Sequence, residues 1–188
     1  MKLYCSKADV EKYTNQTITI DIDNWIEGIS IYIKGITNRD WKADTVASAR
    51  LYDGNGYQQL EVDDFIETPI LKTGQEYGQS LVTRTDFILY PYNTTHKNTF
   101  ILRNDSFEKG IQTVEVTAKW GYQVDVPEDI RYATTVLTSA VFLAQTNTEG
   151  EVESEKIGNY QVKYRSEKHK DDAERAMDII ESRKIILI

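Results

Sequence analysis

The residues able to do chemistry in this sequence are clustered carboxylates, two histidines, one cysteine and a glycine–asparagine run. Asp63-Asp64 and the series Glu149, Glu151, Glu153 and Glu155 are the raw material of a metal-dependent nuclease or a glycosidase pair. Such chemistry needs an acid, base or metal partner held opposite. Nothing in the sequence fixes one, so these carboxylates read as solvated edges and loops. His96 and His169 lie far apart, and neither sits in a motif that supplies a metal partner three or four residues away. Both read as surface histidines. Asp53-Gly54-Asn55-Gly56 resembles the start of a calcium loop, but such a loop needs Asp or Asn and then Gly where this chain has Tyr57 and Gln58. The run reads as a turn. No GxSxG, phosphate-binding glycine loop or dinucleotide fingerprint occurs. The expectation is a chain without catalytic residues, metal or cofactor.

The composition narrows the class further. At 188 residues the chain is long enough for one domain, or for a small domain carrying an insertion, and folding should bury roughly 70% of its unfolded surface. Twelve tyrosines and an ordinary apolar content argue for an ordered fold despite a net charge of −8. Cys5 is the single cysteine, so an internal disulfide is impossible and a reducing compartment fits. The start, MKLYCSKADVEKY, becomes charged too early for a secretory signal, and no apolar run is long enough for a membrane span. A soluble protein made in a cytoplasm is expected, and the sequons at Asn15, Asn93 and Asn104 read as chance. With 22 basic residues against 30 acidic ones, the charge term that drives non-specific nucleic-acid binding is missing.

Hydrophobic periodicity supplies the elements. Ser6, with Asp9 three residues on, caps a short helix over Lys7–Tyr13. Ile22, Trp25, Ile26, Ile29, Ile33 and Ile36 recur at steps of three and four, the apolar face of a second helix. From Val46 the pattern becomes strand-like. The Asp53–Gly56 turn is expected to join Ala49–Tyr52 to Tyr57–Val62 as a hairpin. Further strands are expected over Phe65–Leu71, Thr85–Tyr90, Thr99–Leu102 and Gln112–Trp120, a set that suggests a small antiparallel sandwich or barrel. Pro127 fits a first helical turn with Glu128 and Asp129 after it. The following Ile130–Gln145 is almost uncharged, so that helix should be buried on most sides, either as a central core helix or in part by other subunits. A hairpin over Glu151–Tyr164 turns at Gly158-Asn159, and a last helix over Lys170–Lys184 carries Ala173, Ala176, Met177 and Ile180 on one face. The sequence given ends in the apolar Ile185-Ile186-Leu187-Ile188.

The fold class expected is therefore α+β. It consists of a small helical core over 1–44 and 126–188, with the hairpin 151–164, and a β insertion over about 45–125 forming an antiparallel sandwich or barrel-like sheet. Two features exceed the needs of a single core. An exposed two-stranded hairpin is marginal alone, so it should dock on something. The apolar end is also unusual, since chain ends are commonly polar and frayed.

In order and spacing, the stretches RLYDGNGYQQLEVDDFIE, DFILYP, VEVTAKWGYQVDVPEDIRYAT and SEKIGNYQVKYR resemble the head–tail connector proteins of tailed bacteriophages, also called adaptor or head-completion proteins. The resemblance runs over nearly the whole chain. Its most specific parts are Trp120-Gly121-Tyr122, Val126–Ile130 and the hairpin Ser154–Tyr164. It implies a structural, non-enzymatic virion subunit, synthesised in the host cytoplasm. Such a subunit joins a ring, typically twelve-fold, beneath the portal protein at the head–tail junction. The ring extends the DNA channel without binding DNA specifically and offers a surface to the next head-closure or tail protein. On this reading Glu153, Glu155, Ile157, Tyr160, Val162 and Tyr164 of the hairpin contact a neighbouring subunit. Lys184, Ile185, Ile186, Leu187 and Ile188 dock on the portal. The alternative is a β-type carbohydrate- or protein-binding module of a virion, built on the tyrosine-rich middle. A metal-dependent nuclease using Asp63, Asp64 or the glutamates is the remaining class.

Overall fold

Residues 2–75, 81–146, 153–157, 159–164 and 167–185 are described by the computed structural model. The chain divides into two units, one made of Met1–Trp41 with Val126–Ile188 and the other of Lys42–Asp125. The class is α+β: among the described residues there are four helices and a six-stranded antiparallel sheet, with a separate two-stranded hairpin.

The first unit is built by four helices. α1, Lys7–Thr14, opens with a full capping box in which the Asp9 amide donates to the Ser6 hydroxyl and the Ser6 amide donates to the Asp9 carboxylate. It closes on Asn15 in the left-handed region, one of the few conformations where Asn is at ease. α2, Asp23–Thr37, buries Ile26, Ile29 and Ile33 completely, with Ile22 just ahead of it, while Trp25 and Ile36 are half-buried at the edges of that face. Ser30 and Thr37 are buried polar residues, and each hydroxyl returns a hydrogen bond to the carbonyl four residues back, to Ile26 at 2.7 Å and Ile33 at 2.8 Å.

α3, Glu128–Thr146, is buried without a break from Ala133 to Phe142. Sequence left two coverings open for it, a central place in this chain's own core or cover in part by other subunits, and the first is the one seen. α1, α2, α4 (Glu167–Ser182) and β8 (Tyr160–Tyr164) of the same chain border it, so it is the unit's central helix. Two of its buried hydroxyls are turned back on the helix itself: Thr134 donates to the Ile130 carbonyl and Ser139 to the Thr135 carbonyl, both at 2.7 Å. α4 seals the other side with Ala173, Ala176 and Ile180.

The second unit is the sheet, formed by β1 (Ser48–Gly54), β2 (Gln59–Thr73), β3 (Val82–Arg84), β4 (Phe87–Tyr90), β5 (Lys97–Leu102) and β6 (Gly110–Trp120). It is open, in the order β1-β6-β2-β5-β4, with β3 on β2 beside that path. β2 is the pivot. Its first part pairs with β5 and its last part with β6, and register shifts between Glu61 and Phe65 and between Ile66 and Ile70 bend it in the middle. A strand that changes partners at a bend is how a sheet turns a corner. The two halves therefore close over one core, in which Phe65 stacks on Phe100 at 5.4 Å and meets Trp120 edge-on at 6.0 Å. The expected antiparallel sheet is thus an open one, with β1 and β4 at the ends of its path.

One pairing differs from expectation. The Asp53–Gly56 turn does not make a hairpin, because β1 pairs with β6 and leaves β2 on the far side of it. The connection crosses the end of β6, where Gly54 opposes Gly110 and the Gly54 amide donates to the Thr113 hydroxyl at 3.1 Å. A side chain at Gly54 would run into the Glu108 carbonyl oxygen, so glycine is required there by close approach. The local sequence was right for a turn; the strands it joins were set by distant partners.

Candidate functional site

The chemistry-bearing residues do not converge. Asp63 is exposed and is held by the Arg50 guanidinium at 2.6 Å and the Tyr52 hydroxyl at 2.9 Å, whereas neighbouring Asp64 is buried. Arg50 also lies over the Trp120 ring at 4.4 Å, so this carboxylate serves to fix a cation on the sheet. Burial, and then the nearby Asp63 charge, push the Tyr52 hydroxyl well above the usual tyrosine range. Glu149 and Glu151 lie outside the described residues, as do the side chains of Glu153 and Glu155.

The glycine–asparagine run is occupied with its own loop. Asn55 accepts from the Tyr57 amide at 2.9 Å and donates to the Gln59 carbonyl at 2.8 Å, and Asp53 accepts from the Gln112 amide at 2.8 Å. His96 stacks on Tyr122 with ring centres 4.1 Å apart. Cys5 is buried beside Thr135 and Thr138. Burial pushes its thiol up to about 11, so it stays protonated and inert near neutrality. Among the described residues no group of three His, Cys, Asp or Glu is placed to hold a metal, and no helix is long and apolar enough to cross a membrane.

Two segments of the first unit carry the surface positions singled out from sequence. β7, Glu153–Ile157, and β8 form an antiparallel ribbon in which Glu153 opposes Tyr164, Glu155 opposes Val162 and Ile157 opposes Tyr160. Directly opposed residues share a face, so all six hairpin positions singled out from sequence fall on one face of the ribbon. Lys156, on the other face, is exposed. β8 runs beside α3 and α4, which gives the ribbon the support that a bare hairpin lacks.

The second segment follows α4. Arg183 donates to Asp129 from Nε at 2.9 Å, tying this exit to the first turn of α3. Lys184 is exposed, and the Ile185 amide donates to the Thr37 carbonyl at 3.2 Å, at the end of α2. Ile186, Leu187 and Ile188 lie outside the described residues. A backbone contact of this kind leaves no mark in side-chain pattern, so periodicity does not show that this segment meets the end of α2.

The chain shares its fold with chains in solved structures of neck assemblies. No family model matches the sequence, and no curated protein does. Among solved structures the chain is similar to one in "Neck of empty GTA particle computed with C6 symmetry", with a TM-score of 0.54 at 13% identity, over 96% of this chain and 89% of that one. A second, "Neck of native GTA particle computed with C12 symmetry", gives 0.50 at 12% identity, over 100% of this chain and 97% of that one. GTA here is a gene transfer agent, a phage-like particle. The resemblance to head–tail connector proteins noted in the sequence is thus matched by a shared fold.

Proposed function

We propose that this chain is a structural, non-enzymatic adaptor of a head–tail neck. It forms a ring, twelve-fold in the virion, beneath the portal protein, extends the DNA channel, and presents a docking surface to the next head-closure or tail protein. The observation that carries this reading is the fold shared nearly end to end with chains of symmetric neck assemblies, at TM-scores of 0.54 and 0.50. A ring is closed by two different patches that meet head to tail. The hairpin face of Glu153, Glu155, Ile157, Tyr160, Val162 and Tyr164 provides the contact to a neighbouring subunit. The segment Lys184, Ile185, Ile186, Leu187 and Ile188 docks on the portal.

The charge supports a conduit. The net charge is −8, and a neutral or acidic wall does not hold passing phosphates as fixed cations would. The test is a pull-down on the portal protein encoded beside this chain. Full-length protein binds, and deletion of Lys184–Ile188 abolishes binding while leaving circular dichroism unchanged. Undiminished binding by the truncated chain ends the portal assignment, and a mixture that never forms collars in negative-stain images ends the adaptor reading.

A second reading, a carbohydrate- or protein-binding β module, draws on one observation. Tyr90 and Tyr92 are about half exposed and pack edge to face at 5.4 Å, which leaves aromatic surface open to a ligand. Saturable binding on a glycan array, lost in Tyr92→Ala, would favour it over the adaptor.

A further inference from the structure

Asn55-Gly56 is the one Asn–Gly pair in the sequence, and both residues are exposed in the connection between β1 and β2. The Asn55 side-chain oxygen accepts from the Tyr57 amide at 2.9 Å, which turns the side chain along the Gly56 peptide as an Asx turn. The Gly56 nitrogen is a member of the ring that this hydrogen bond closes. At its other end the Asn55 amide donates to the Gln59 carbonyl at 2.8 Å. The side-chain carbonyl is thus kept beside a backbone nitrogen of its own chain.

Glycine leaves that nitrogen uncrowded. Gly56 is at a φ of 82°, and a side chain there would meet only Lys109, at 3.5 Å. The neighbouring Asp53-Gly54 pair is the contrast. Gly54 is buried, its amide donates to the Thr113 hydroxyl at 3.1 Å, and Asp53 accepts from the Gln112 amide at 2.8 Å. The same loop therefore holds one such pair with its nitrogen committed and another with its nitrogen at the surface.

We propose that Asn55 is a site of spontaneous modification, at which the Gly56 nitrogen closes a succinimide ring on the Asn55 side chain. Solvent base takes the Gly56 amide proton, and the nitrogen attacks the side-chain carbonyl carbon, forming a new carbon–nitrogen bond. Negative charge passes to the carbonyl oxygen, where the Tyr57 N–H already aimed at it stabilises that charge. The bond from Cγ to Nδ2 then breaks, and the nitrogen takes a proton from water and leaves as ammonia. Water opens the ring at either carbonyl, giving aspartate or isoaspartate. No redox change occurs, and each event adds one negative charge. An ionised aspartate has no donor, so the bond to the Gln59 carbonyl is lost and an oxygen stands where the amide nitrogen stood. The product loosens the turn that carries β1 across the end of β6 to β2.

The test is incubation of the intact protein at mildly alkaline pH, with circular dichroism to follow the fold, then digestion and peptide mass mapping. Conversion at Asn55 ahead of every other asparagine is expected, faster at higher pH, with two product peptides of equal mass that elute apart. An aspartate product alone means that water attacked the amide directly, and overturns the proposal. So does a native protein that stays unconverted while a synthetic peptide spanning Leu51–Glu61 converts. Gly56→Ala crowds the nitrogen and should slow conversion severalfold, and an unchanged rate removes Gly56 as the nucleophile. Asn55→Asp, a stable copy of one product, should melt at a lower temperature than wild type. Equal melting overturns the loosening of the turn.

Discussion

The Tyr4 hydroxyl donates to Asp40 Oδ1 at 3.2 Å while accepting the Trp41 amide at 3.1 Å, so one phenol joins the start of the chain to the segment that follows α2. Lys2 and Lys34 reach the other oxygen of Asp40 at 3.0 and 2.9 Å. The result is a clasp on the first unit, with Tyr4 only 2% exposed. Tyr4→Phe keeps the ring and removes the bridge, leaving the buried Trp41 amide without this acceptor. A loss of about 1–3 kcal/mol is expected, read from the urea midpoint.

The same clasp makes stability depend on pH. Burial alone would raise the Asp40 carboxyl, but hydrogen bonds from Lys34 and Lys2, and their charges, outweigh it and hold the group below the usual carboxylate range. A group with a depressed folded value contributes stability that is present above its unfolded value, about 3.9, and is lost as pH falls through the folded one. Urea midpoints of wild type and Asp40→Asn should therefore differ at pH 7 and converge below about pH 4. A gap that persists unchanged into strong acid would remove Asp40 from the account.

Gly54→Ala tests the crossing at the end of β6. The added methyl meets the Glu108 carbonyl and the Thr113 hydroxyl, backbone on one side and a bonded side chain on the other. Destabilisation of about 2–4 kcal/mol is expected, with a matching fall in melting temperature. Gly56→Ala makes a useful comparison, since its methyl would meet only the Lys109 side chain, at 3.5 Å, and its cost comes from the positive φ of 82° instead.

Arg183→Ala addresses the exit after α4. Both partners of the Arg183–Asp129 pair are partly exposed, and such pairs contribute little. A stability change below about 1 kcal/mol is expected in denaturant, together with faster amide exchange at Ile185. A large global loss would show that the pair carries more of the fold than its exposure suggests.

Local signals were legible in the sequence and non-local ones were not. Ser6 and Asp9 announced α1, the isoleucine spacing announced α2, and Pro127 with Glu128 and Asp129 announced α3, because caps and periodicity act within a few residues. The strands were also visible as segments. Their pairing was not, since the partner of Ala49 is Thr117, and no residue near Ala49 specifies that choice. The near absence of charge in Ile130–Gln145 showed correctly that α3 is buried, but burial does not say by what. Among the candidate surface residues, the hairpin alternation was readable and its support by α3 and α4 was not. The attachment of Ile185 to Thr37 runs through main-chain atoms that every residue possesses.

The bend in β2 has a consequence for how the second unit acquires its structure. Glu61 pairs with Thr99 and Thr73 with Val114, so one continuous strand supplies a partner to each half of the sheet. Neither half has a complete core without the other, because Phe65 sits at the bend and touches Phe100 and Trp120 from opposite sides of it. Partial intermediates with one half ordered are thus unfavourable, and the pairing of Ser48 with Ala118 closes a long loop before it is rewarded. A unit built on such distant pairings is expected to fold slowly, in roughly the millisecond-to-second range, which stopped-flow refolding would read.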